Sequence, residues 1–140
     1  MAEHIEMSEE YSKIGMDLIQ KEPLLEYIKN SEATIVFLSS DKEKKSKGKD
    51  VCGICEKIPD KYKWAIPADF TITVYEPNII AFSQKQIRIL LYHELLHIRI
   101  EEKNGEESYS CNPHDIEDFR DIIDRFGLDW SQPEWRIVDG

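Results

Sequence analysis

The chain is poor in the residues that cross-link, break or insert a fold. Its 140 residues include only 3 cysteines, 6 glycines and 6 prolines. Three cysteines cannot build the disulfide framework on which small secreted domains rely. No apolar run approaches the roughly 20 residues of a membrane-spanning helix, and the mean hydropathy is −0.51. The opening MAEHIEMSEE is acidic where a secretory leader is basic and then apolar, so a cytoplasmic protein without a membrane partner is expected. Positive charge is also scarce, with 18 Lys and Arg against 28 Asp and Glu, for a net charge of −10. That argues against general nucleic-acid binding, where basic surface supplies most of the affinity. The one basic stretch, residues 41–49, reads as a solvated turn between two strands, the alternative being a basic finger for DNA or an acidic partner. With 41% hydrophobic residues, the chain has enough apolar material for one core without staples.

Histidine is scarce as well, with 4 in all, and two of them stand in a telling pattern: Tyr92-His93-Glu94-Leu95-Leu96-His97. Residues four apart lie one above the other on a helix, so His93 and His97 would present two imidazoles to one point. This is what a zinc ion requires of two ligands. Glu94 would flank the metal and take a proton from the water that zinc activates. Ser83 followed by Gln86 marks the helix start as a capping box. Apolar residues from Ile87 to Ile100 then cover almost every side, which predicts a buried central helix. Two histidines and a glutamate there need partners for their polar atoms, and a metal supplies one.

A catalytic zinc takes a third protein ligand and leaves the fourth position open. The metzincin continuation is excluded, because Lys103 stands six residues after His97 where that class has histidine. His114 is the main candidate: Asn112-Pro113 is a helix start, continued by Ile116, Phe119, Ile122, Ile123 and Phe126 and ended by Gly127. Glu117 and Asp118 are rivals, or carboxylates that hold the ligand imidazole by its other nitrogen. Asp115 is read as a solvated acid favoured by the helix dipole.

The remaining pattern predicts an α+β fold. Ser8 caps an N-terminal helix carrying Tyr11, Ile14, Leu18, Leu25 and Ile28, interrupted or restarted at Pro23. Residues 34–38, 51–58 and 70–75 are expected as a short three-stranded sheet, the last with Phe70, Ile72 and Val74 on one face. Residues 59–67 form a loop, with Trp64 expected against the core, and Trp130 and Trp135 fold back on the body.

These segments carry a resemblance. KIP at 57–59, DFTITVYEP at 69–77, ILLYHELLHI at 89–98 and HDIEDF at 114–119 together resemble the family of phage metallopeptidases, small zincin-like proteins. More distantly the chain is similar to the SprT-like proteases, although Asp115 stands where those usually have glycine and no cysteine-rich ribbon follows His114. The resemblance implies a single zincin-like domain over residues 1–140, with an N-terminal helix, short sheet, active helix and C-terminal helix. It also implies His93, His97 and His114 as metal ligands and Glu94 as catalytic base.

The expected activity is zinc-dependent hydrolysis of peptide bonds in a protein or peptide substrate, with an edge strand near the metal receiving it. Tyr109, in the stretch approaching His114, is the candidate second oxyanion donor. Two other readings stay open. Cys52, Cys55, Cys111 and His114 have the spacing of a structural zinc site, although side chains three apart on a strand face opposite ways. Otherwise the cysteines are buried and inert. A non-catalytic, zinc-stabilised interaction domain is the alternative function.

Overall fold

Ser8 starts the first helix as its position predicts. Its hydroxyl accepts the Tyr11 backbone N–H at 3.1 Å, and α1 runs over Glu9–Lys21. Glu9 and Glu10 in the first turn and Lys21 in the last complement the helix dipole. Pro23 cannot continue α1, so the chain restarts through a short 3-10 turn, Pro23–Leu25, into α2, Glu26–Lys29. The computed structural model describes residues 3–111. The helix expected from His114, with Glu117, Asp118 and Gly127, and the two tryptophans after it lie outside the described residues.

The strands are β1 (Ile5–Met7), β2 (Ile35–Ser40), β3 (Lys45–Ser46), β4 (Lys49–Asp50), β5 (Gly53–Lys57) and β6 (Phe70–Tyr75). Helix α3 (Gln84–Leu95) follows, and then β7 (Ile98–Lys103) and β8 (Glu106–Cys111). The main sheet has the order β1-β2-β6-β5, with β2 and β6 parallel and the other pairs antiparallel. It therefore has four strands, not the expected three, and β3–β4 and β7–β8 form two further two-stranded sheets. The fold is mixed α+β, as expected. Strand β1 is missing from the sequence reading because all three of its residues are exposed and show no buried alternation.

Register fixes which side chains face the helices. Phe37 pairs with Ile72, Ile72 with Cys55, and Val74 with Gly53, so these residues share one face. Phe37 lies directly against Gly15 of α1, which settles that this face looks toward the helices. Phe70, Ile72 and Val74 are fully buried, as their alternation predicts. A Cβ at Gly15 would overlap the Phe37 ring. Gly15→Ala is therefore expected to lower unfolding stability by about 1–3 kcal/mol despite the better helix propensity of alanine, as a urea titration would measure.

Two turns were differently legible. Lys47 and Gly48, at φ 52° and 76°, close the β3–β4 hairpin in the segment read as a turn between strands. Asn104 and Gly105, at φ 53° and 81°, close β7–β8 in the same way. That hairpin corrects the longer helix expected from the apolar run: Ile98 and Ile100 belong to a strand, not to α3. Trp64 is another correction. It is 87% exposed and does not pin the 59–67 loop to the core.

Candidate active site

Helix α3 is built by the signals that the sequence carries. Ser83 Oγ accepts the Gln86 N–H at 3.2 Å, and Gln86 Oε1 accepts the Ser83 N–H at 2.8 Å, completing the capping box. Eight of its residues are buried, among them Ile87, Leu91, Glu94 and Leu95. In its first half, Arg88 pairs with Asp17 of α1 at 2.8 Å.

The H-E-x-x-H segment straddles the end of this helix. His93 and Glu94 lie in its last turn, whereas His97 stands two residues beyond Leu95. The turn continues through Leu96 N–H to the Tyr92 carbonyl and tightens through His97 N–H to the Glu94 carbonyl, each at 3.1 Å. This corrects the expectation of both histidines within the helix, yet the extra turn keeps them together. Their rings meet edge-on, with centroids 5.5 Å apart and planes at 65°. One ligating atom from each of His93, Glu94 and His97 lies within 4.8 Å of the others. His97 Nε2 is 3.9 Å from Glu94 Oε1.

The cluster is largely buried. Glu94 is 5% exposed and His97 9%. Burial, and secondarily charge on Cys111, pushes the Glu94 carboxyl up to about 8. Strand β5 lies beside Glu94: a Cβ at Gly53 would stand in ordinary contact with Glu94 Cγ, at 3.5 Å, and tighter, at 3.2 Å, against the Thr73 carbonyl. Two imidazoles and a carboxylate converging at a buried helix end form a donor set that fits a divalent metal ion.

The chain just past His97 is held by a residue that sequence reasoning did not single out. The Tyr27 hydroxyl, from α2, donates to the Ile98 carbonyl. Tyr27→Phe is expected to cost about 1 kcal/mol of stability and to weaken metal retention, checked by thermal melts and competition with a chelator.

Tyr109 is occupied elsewhere. Its hydroxyl donates to Glu107 at 2.6 Å, its ring packs edge-on to Phe70 at 5.6 Å, and Lys63 lies over that ring. It packs as a sheet aromatic, with its hydroxyl engaged by Glu107. The cysteines separate as their spacing predicts: Cys52 Sγ is directed at the Asn78 carbonyl, and Cys55 meets Cys111. His114 lies outside the described residues.

The family model described as "Putative phage metallopeptidase" matches residues 3–137. The chain belongs to that family. No curated protein and no solved structure matches it. Membership in a metallopeptidase family implies a metal ion and protein or peptide substrates, and the His93–Glu94–His97 cluster is a place for that ion. Among the described residues, no helix is long and apolar enough to cross a membrane.

Proposed function

We propose that this chain is a zinc-dependent peptide-bond hydrolase of the H-E-x-x-H type, built as one zincin-like domain over residues 1–140. The observation that carries the reading is the convergence of His93, Glu94 and His97 at the buried end of α3. His93 and His97 hold the ion through ring nitrogens, and His114 is the third ligand. Register supports His114: Cys111 pairs with Ile98, the residue after His97. Three further residues span at most about 10 Å from that point, a reach that permits His114 as a ligand.

Zinc, when bound, supplies Lewis-acid activation of water and polarises the scissile carbonyl. Glu94 takes the proton from the attacking water and returns it to the leaving amine nitrogen. In the metal-free chain burial keeps a proton on Glu94 near neutral pH, whereas a cation in the cluster would favour the carboxylate that can accept one.

Metal content of the purified protein, beside His97→Ala and His114→Ala, tests the reading. One zinc per chain, lost or weakened in both variants, is the expected result. Zinc kept in His97→Ala but lost in His114→Ala would move the metal to the cysteines and sink the hydrolase reading.

A further inference from the structure

Cys55 and Cys111, 56 residues apart in sequence, meet sulfur to sulfur at 3.7 Å. Cys55 is central in the edge strand β5, on the helix-facing side of the sheet with Gly53. Cys111 is the last residue of β8, and both thiols are partly buried against the core cluster. Among the described residues β5 pairs with β6 and β8 with β7, and no ladder joins β5 to β8. The thiol pair is therefore a direct side-chain contact between two sheets. A disulfide needs its sulfurs at about 2.05 Å, so closure requires an approach of under 2 Å, within reach of small side-chain rotations.

We propose that Cys55 and Cys111 are a site of reversible oxidation, at which a hydroperoxide closes a disulfide that staples the β7–β8 hairpin to β5. The Cys111 sulfur attacks the peroxide oxygen, giving a Cys111 sulfenic acid and releasing the alcohol, or water from hydrogen peroxide. The Cys55 thiol then attacks that sulfur, forming the S–S bond and expelling water, with its proton leaving on the departing oxygen. A dithiol reductant reverses the change by exchange. The order follows from access: Cys111 is the less buried of the two thiols, so peroxide reaches it first, whichever sulfur donates the S–H between them. Cys52 takes no part, because its sulfur is turned to the Asn78 carbonyl at 3.8 Å. Neither sulfur belongs to the His93–Glu94–His97 cluster, although Cys111 lies near enough for its charge to act on the Glu94 carboxyl.

The test treats the reduced, full-length protein with hydrogen peroxide and maps it without reduction. Trypsin places Cys55, together with Cys52, on residues 50–57 and Cys111 on residues 104–120. The expected result is an intact mass lower by two hydrogens and a cross-link between those two peptides. It should persist in Cys52→Ser, be absent in Cys55→Ser, and raise the thermal midpoint until reductant is added. Cys55→Ser should instead trap a dimedone-reactive sulfenic acid on Cys111. A Cys52–Cys55 bridge, linkage only between chains, or sulfinic acid without a cross-link would overturn the proposal. So would zinc release in step with oxidation that Cys111→Ser abolishes, which would assign the thiols to a metal. The wild-type peptide map decides the linkage even if a serine variant fails to fold.

Discussion

Glu94→Gln is expected to lower peptide-bond cleavage by about 10²–10⁴-fold while leaving one zinc per chain. Glutamine keeps the shape that fits between α3 and Gly53, so the packing around the helix end is retained. It removes only the proton acceptor. The site gives Glu94 two chemically distinct possibilities, because its carboxylate lies in the same cluster as both imidazoles. As base, it loses catalysis and keeps the ion. As ligand, it loses both. A peptide library digested with wild type and variant, read by mass spectrometry beside metal analysis, separates the two. Full activity with metal bound would remove Glu94 from the mechanism. Lost metal would reassign it to the coordination set and leave the base to another group.

The parts of this protein that were legible in sequence are those fixed by local chemistry. Ser8 and the Ser83–Gln86 pair announce two helix starts because caps are set within one turn. The alternation of Phe70, Ile72 and Val74 announces a strand because one face must be buried. The parts decided by partners were misread. Residues 98–100 look like more buried helix by composition, but they pair with β8, and a second apolar period cannot be told from a helix tail over so short a run. The signal that would have found the hairpin is Asn104-Gly105, a strong marker of a two-residue turn. Strand β1 is written only in its pairing with β2, and the exposure of Trp64 only in the surrounding loop. At the site, the 93/97 spacing revealed the cluster even though His97 leaves the helix, since one tightened turn preserves the neighbourhood. The Tyr27 contact with Ile98 spans 71 residues and has no local signature.

Metal-free protein is expected to lose stability as pH rises from about 5 to about 9, and Glu94→Gln should remove that loss. Glu94 has its folded value raised from 4.5 to about 8, first by burial and then by charge on Cys111. Between those values the folded protein keeps a proton that the unfolded chain has released. Stability therefore falls with rising pH across that window and levels off above it. At about 1.4 kcal/mol for each unit, the full loss is on the order of 5 kcal/mol. That would be a large share of the 5–15 kcal/mol typical of a small domain. Glutamine cannot ionise, so the variant should be the more stable protein at pH 9 and similar to wild type at pH 5. Zinc should reverse the ranking, because a cation beside the carboxylate favours its charged form and binding stabilises only the folded state. Urea titrations of chelator-treated protein at a series of pH values measure the difference directly. Parallel profiles for wild type and variant would show that the buried carboxyl is not raised, and that the end of α3 is wetter than its packing indicates.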